Sequence, residues 1–213
     1  MVSATALRPL KLLATPVKAF TRTFPRINAA SWDLQYQLGL WDYLDSDQAG
    51  SELLRIVQKY SGQASILDLG CGTSANLPLI PGAYRHYHGV DISRKAIKRA
   101  RSLGRADTSY ETADILHYQP RQSYDVIVLS EVLYYLPTTK IAGLLRRLSS
   151  CLTPDGVIII QVWSGAENPG LTSAISDTGL VMATETMMAL DAAGNPRTVY
   201  ILRATAPQSA SAS

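Results

Sequence analysis

An apolar run from Ala64 to Leu69, interrupted by the single acid Asp68 and closed by Gly70-Cys71-Gly72, constrains this chain more than any other stretch. Ser61-Gly62 bounds the run on one side and a helical pattern follows on the other. It therefore reads as a short buried strand, a glycine turn and a helix. Gly70 and Gly72 let the backbone reverse sharply and come close to a ligand. In an open α/β sheet that ligand lies outside the carboxyl end of the strand. An unpaired carboxylate at Asp68 is costly to bury, so a positive or hydrogen-bonding partner is implied.

Spacing alone does not name the ligand. Gly70-Cys71-Gly72-Thr73-Ser74-Ala75 satisfies a G-x-G-x-x-A dinucleotide pattern, with Asp91 beyond it as a ribose acid. Against that reading, Asp68 stands where dinucleotide sites usually carry an apolar residue. A second acid, Asp114, closes another strand-like segment, so a further strand meets the same pocket. Tyr124 to Leu133 then supplies a long apolar run carrying Ser130 and Glu131.

Taken in order, Asp68 to Gly72, Gly89-Val90-Asp91-Ile92-Ser93, Ala113-Asp114-Ile115, Tyr124 to Leu136 and Leu152 to Ile160 resemble the class I S-adenosylmethionine-dependent methyltransferases. The resemblance covers Ala64 to Trp163, and a closing hairpin to Ala204 also fits. It implies a Rossmann-like α/β fold: a seven-stranded, mostly parallel sheet with a C-terminal antiparallel hairpin and helices on both faces. It also implies S-adenosyl-L-methionine as cofactor and methyl transfer to an oxygen or nitrogen of a small molecule, such as a saccharide or natural-product intermediate. The reading from another class is a cofactor-binding partner subunit without catalysis.

The same resemblance assigns roles. The backbone of Gly70, Cys71 and Gly72 lies against the methionine and ribose portion, with Cys71 a small residue that fits the turn. Asp68 serves the amino-acid end, and Asp91 takes both ribose hydroxyls, since a carboxylate has two accepting oxygens. Asp91 is expected at a solvent-facing strand end, where its removal spares the fold. Asp114 accepts from the adenine amino group, the Ile115 amide faces a ring nitrogen, and Ile92 and Leu116 wall the ring. Ser130 and Glu131 end the fourth strand, beside the transferring methyl. Ser130 to Leu136 is similar to the nodulation-type N-methyltransferases, which modify a sugar amine. There Glu131 orients an amine, acts as a base or supports the cofactor, while Tyr134 and Tyr135 wall the acceptor pocket. Of the histidines, His117 can approach the pocket as a second candidate base, and His86 and His88 are strand residues.

The remaining elements follow from local pattern. Strands are expected at His86 to Asp91, Thr108 to Asp114, Tyr124 to Ser130 and Val157 to Trp163, the last entered by a turn at Pro154-Asp155-Gly156. Ser93 is a candidate N-cap for the helix after the second strand. Helices are also expected at Glu52 to Tyr60, Thr139 to Leu152 and Pro169 to Thr178, and Gly194-Asn195-Pro196 turns a hairpin between Leu180 to Leu190 and Arg197 to Ala204. Pro78 and Pro81 shorten the first crossover helix.

The 213 residues are 46% hydrophobic and 17% charged, which suits one folded domain. Residues 1–30 form a basic arm, 31–204 the methyltransferase domain and 205–213 a disordered tail. The arm holds five basic residues and no acid, with prolines that interrupt its apolar stripe; a membrane-surface anchor, an organellar presequence and a mobile arm all remain open. Within the domain, 31–60 is a lid or cap, because Trp32 to Tyr43 mixes aromatic and polar residues; Tyr36 and Trp41 are its cofactor-facing candidates. Arg94, Lys95, Lys98, Arg99, Arg101 and Arg105, on the helix expected after Asp91, read as a solvated helix face, not a nucleic-acid surface. Two cysteines make no disulfide framework and suit a reducing, cytoplasmic setting. No residue cluster has metal-ligand spacing. The partner implied is a small-molecule methyl acceptor.

Overall fold

In the computed structural model, residues 25–41, 59, 63–74, 84–163, 170–190 and 196–203 are described. Seven strands form one sheet: β1 (Ala64–Leu69), β2 (Tyr84–Asp91), β3 (Thr108–Thr112), β4 (Tyr124–Ser130), β5 (Leu152–Trp163), β6 (Val181–Leu190) and β7 (Pro196–Arg203). Their order is β3-β2-β1-β4-β5-β7-β6. The first five strands run parallel, and β7 pairs antiparallel with both β5 and β6. The expected mostly parallel sheet with a closing hairpin is therefore present. The order reverses between β1 and β4, which is where an open α/β sheet leaves a crevice.

Side-chain alternation explains how one apolar run serves two cores. Leu67 and Leu69 of β1 pack with Ile127, Leu129, Ile158 and Ile160 on one face. Ile66 packs with Val126, Val128, Val157 and Ile159 on the other. Helix α3 (Thr138–Ser149) covers the first face with Ile141, Leu144, Leu145 and Leu148, joined by α4 (Leu171–Ser176). Helix α2 (Arg94–Ser102) covers the second with Ile97 and Ala100. Burying each such large aliphatic side chain contributes about 1.5–3 kcal/mol. The basic residues Arg94, Lys95, Lys98, Arg99 and Arg101 are exposed on α2, whereas Arg105 lies beyond its end, half-buried, and donates to the Ser74 carbonyl.

Several boundaries differ from the sequence reading. Strand β5 begins at Leu152, because Leu152 already pairs with Tyr124. A register shift between Tyr124 and Val126 takes up Pro154-Asp155-Gly156, so these residues lie within the strand and do not form a separate turn. Strand β3 stops at Thr112, two residues before Asp114, and α3 stops at Ser149. Helix α1 (Pro25–Gln37) starts earlier than the expected domain start at residue 31. Proline is tolerated at a first helical position, where its missing N–H has no helical partner to lose. The expected helix at Glu52 to Tyr60, the Pro78–Pro81 segment, most of the hairpin turn, most of the basic arm and the tail lie outside the described residues. No helix among the described residues is long and apolar enough to cross a membrane.

Candidate functional site

The turn after β1 is built on two glycines in left-handed backbone, Gly70 at φ +79° and Gly72 at φ +55°. Both Gly70 and Cys71 amides donate to the Val90 carbonyl, at 2.7 and 3.1 Å, which ties the turn to β2. The space beside each glycine is filled by protein. A Cβ on Gly70 would lie 2.6 Å from Val132 Cγ2, and one on Gly72 would lie 2.7 Å from the Tyr36 hydroxyl. The glycines thus allow these two side chains to close on the backbone, a packing role beyond the ligand approach expected of them. Cys71 is buried, and burial, then Asp68 and Asp91, push its thiol well above the usual range.

Asp68 and Asp91 end adjacent strands and are both buried. Asp68 finds the partner its burial requires in Tyr87, whose hydroxyl donates to Asp68 Oδ2 at 2.7 Å. Burial nevertheless pushes the Asp68 carboxyl up to about 7, against the pull of Tyr87 and with the repulsion of Asp91 added. Asp91 is 8% exposed, which corrects its expected solvent-facing position. Its Oδ2 accepts from the Gly72 amide at 2.9 Å and its Oδ1 from the Ser93 amide at 2.7 Å. Burial raises this carboxyl to about 6; the two amides oppose the shift and Asp33 reinforces it.

Helix α1 reaches the same corner. Ser93 caps α2 by accepting from the Ala96 amide at 3.1 Å, while its hydroxyl donates to Asp33 Oδ1 at 2.7 Å. The same Asp33 oxygen accepts from the Lys95 amide at 3.0 Å. Tyr36, one turn further along α1, is buried beside Gly72. Trp41 packs 5.5 Å from Trp32, which meets Tyr135 edge-on at 4.9 Å; Tyr134 lies 4.5 Å from Tyr135. One aromatic wall therefore joins α1 to the end of β4.

Beyond β3, Asp114 is committed to its own loop. Its Oδ1 accepts from the Leu116 amide at 2.9 Å and its Oδ2 meets His117 Nδ1 at 3.0 Å. Arg147 of α3 fixes this loop by donating to the Ile115 and Leu116 carbonyls at 3.1 and 3.0 Å. The Ile115 amide has no acceptor among the described residues. Ile92 and Leu116 are half-buried at this side. The His117 side chain is 76% exposed, and the strand it follows is three positions from β4, or about 14 Å at ordinary strand spacing. The structure does not bring His117 to the residues that end β4.

Glu131 leaves β4 in left-handed backbone, at φ +56°. Its carboxylate is held from three directions. Arg197 of β7 donates to Oε1 at 2.7 Å, the Trp163 amide to Oε2 at 3.1 Å, and the Tyr134 hydroxyl to Oε2 at 3.0 Å. Ser130 is beside the buried Gln161, whose Nε2 lies 3.5 Å from the Ser130 hydroxyl. Burial, then Tyr135 and Glu131, keep the Tyr134 phenol well above its ordinary range. Among the described residues no group of three or more His, Cys, Asp or Glu could hold a metal ion.

Sequence reasoning missed Asp33, Tyr87, Ser74, Arg197 and Trp163. Only Tyr87 left a usable signal: it lies four residues before Asp91 in one strand, hence on the same face, and Asp68 demanded a partner there. The others act across elements far apart in sequence, where no local pattern connects them.

The methyltransferase-domain family matches residues 40–186. Nodulation protein S of Bradyrhizobium diazoefficiens is 31% identical over 115 residues, covering 53% of this chain and 55% of that protein. A trans-aconitate 2-methyltransferase of Methylobacterium nodulans is 29% identical over 142 residues, or 66% of this chain and 53% of the relative. The chain thus spans about half the length of these curated relatives. The crystal structure of N-methyltransferase NodS from Bradyrhizobium japonicum WM9 with S-adenosyl-L-homocysteine superposes with a TM-score of 0.62 at 22% identity, over 74% of this chain and 86% of that one. That likeness is one of fold. The chain belongs to the methyltransferase-domain family.

Proposed function

We propose that this protein is an S-adenosylmethionine-dependent methyltransferase acting on a small molecule, with an amine as the favoured acceptor. The observation that carries the reading is the set of carboxylates at the ends of adjacent strands. Asp68 Oδ1 accepts nothing among the described residues although the side chain is buried. Each Asp91 oxygen accepts one main-chain donor and retains a second lone pair. The Ile115 amide is a donor without an acceptor among the described residues. An ammonium, a ribose diol and a purine ring nitrogen fit these three vacancies of hydrogen bonding in turn.

In this reading Asp68 holds the amino-acid end of the cofactor, Asp91 the ribose and the Ile115 amide the adenine. When bound, S-adenosylmethionine supplies a methyl group already activated on a sulfonium. The chain then has to position the acceptor and exclude water, which is worth up to about 7–11 kcal/mol in favourable intramolecular models. Glu131 bears on the choice of acceptor. Its carboxylate is committed to Arg197, Trp163 and Tyr134, so its service as a proton acceptor would require breaking that set. A hydroxyl acceptor needs a base, whereas an amine needs only its lone pair. The aromatic wall of Trp32, Tyr134 and Tyr135 beside β4 suits a saccharide or other natural-product intermediate. Two free cysteines suit a cytoplasmic, reducing setting.

Calorimetric titration with S-adenosylmethionine, followed by transfer of a labelled methyl to panels of amines and alcohols, tests this reading. Cofactor binding with turnover on amines is expected, and NAD should not bind. Binding without turnover on any acceptor would instead favour a partner subunit. Micromolar NAD affinity would reverse the choice of ligand.

A further inference from the structure

A buried chain of hydroxyl groups lies behind Asp68. Tyr87 is completely buried in β2, beneath the glycine turn. A phenol in that position needs a partner, and this one has two. It donates to Asp68 Oδ2 at 2.7 Å and accepts from Ser74 Oγ at 3.0 Å. A hydroxyl has one hydrogen to give, so donation to the carboxylate fixes Ser74 as the donor to Tyr87. Ser74 is itself held in left-handed backbone at φ +60°. Arg105 Nη1 donates to the Ser74 carbonyl at 2.6 Å, and its approach to Ser74 Oγ is longer, at 3.5 Å. The hydrogens thus run in one direction, from Ser74 through Tyr87 to Asp68.

We propose that Tyr87 is a positioning residue of the cofactor site: held by Ser74, it pins Asp68 Oδ2 and leaves Oδ1 as the acceptor for the cofactor's ammonium. The inference rests on the S-adenosylmethionine reading given above. It accounts for a buried side chain in which one carboxylate oxygen is satisfied by Tyr87 and the other accepts from no described residue. Without the phenol the carboxyl could rotate, and it would lose the donor that offsets its burial.

The test compares two ligands that share the adenosine thioether. S-adenosylhomocysteine carries the amino-acid end, and 5′-methylthioadenosine lacks it. By calorimetry, Tyr87→Phe should weaken S-adenosylhomocysteine about tenfold, the scale of one hydrogen bond to a charged group. Its effect on methylthioadenosine should stay within about twofold, because Asp68 does not reach that ligand. In an Asp68→Asn background the same substitution should add little, since residues acting through one group are not additive. Ser74→Ala should shift discrimination in the same direction, and it decides the matter if Tyr87→Phe proves unfolded by thermal melting. Equal weakening of both ligands, or no change in either, would overturn the proposal. Failure of the unaltered protein to bind either ligand would instead remove the cofactor reading on which it rests.

Discussion

At Gly72 two constraints coincide, and they can be separated by substitution. The left-handed backbone alone costs an alanine about 1–2 kcal/mol. Its Cβ would also meet the Tyr36 hydroxyl at 2.7 Å, whereas the next nearest Tyr36 atom, Cζ, is 3.8 Å away. Gly72→Ala should therefore destabilise by on the order of 2–4 kcal/mol. Adding Tyr36→Phe should recover the steric part, leaving a positive coupling in a double-mutant cycle measured by urea unfolding. A purely additive cycle would place Tyr36 elsewhere. Asp91 also combines two roles. Asp91→Ala leaves the half-buried Gly72 amide and the buried Ser93 amide without acceptors, so stability should fall by about 2–4 kcal/mol in addition to any loss of cofactor affinity. Unfolding curves coincident with the unaltered protein would contradict this. An acid at the end of β2 was legible in the sequence, but its role as the bracket of the glycine turn was not, because both donors are main-chain groups.

Helix α1 is the element whose position matters most to the site. Its hydrophobic periodicity is weak, with Leu34 exposed and Tyr36 buried, so its packing was not readable as an amphipathic stripe. It is held instead by Asp33, which accepts from Ser93 and Lys95 at the start of α2, and by the contacts of Trp32 and Tyr36. As a proposal, this segment closes the cofactor site. Amides across residues 31–41 should then gain hydrogen-exchange protection when S-adenosylmethionine binds. Asp33→Ala, which removes a cap-type contact worth about 1 kcal/mol, should speed exchange in the same amides. Equal protection with and without ligand would describe a permanently packed helix and end the lid proposal. At the other side of the site, the ion pair between Glu131 and Arg197 joins the end of β4 to the closing hairpin. The hairpin itself was readable from its turn signals, but this contact required the order β4-β5-β7 in space.

For the molecule as a whole, two buried acids with raised pKa values make ligand-free stability depend on pH. An aspartate in the unfolded chain titrates near 4, whereas burial raises Asp68 to about 7 and Asp91 to about 6. Between these limits the folded protein retains protons that the unfolded chain releases. The contribution of both groups is thus fully present below about pH 4 and is lost as pH rises through about 6 and 7. The urea midpoint should accordingly be higher at pH 5.5 than at pH 7.5, and Asp68→Asn should flatten that slope. A slope unchanged in the variant would mean that Asp68 ionises as an ordinary surface carboxyl. In the proposed complex a bound ammonium favours the ionised form, so S-adenosylmethionine should stabilise the protein more at pH 7.5 than at pH 5.5.

The sequence by itself determined the sheet, the glycine turn and the acids Asp68 and Asp91 at the ends of two strands. These depend on information within a few residues: apolar runs of strand length bounded by turn residues, and φ preference at glycine. It also required a partner for Asp68, since burial of that carboxylate is costly wherever the chain runs. The tertiary structure decided who the partners are. Tyr87 reaches Asp68 because β1 and β2 are parallel in a particular register; Asp33 reaches Ser93 because α1 packs on α2; and Arg197 reaches Glu131 because β7 inserts beside β5. Such pairs are selected by the packing of whole elements, and the residue types at their two ends are compatible with many other pairings. That physical difference separates the legible part of this site from the part that only the folded chain specifies.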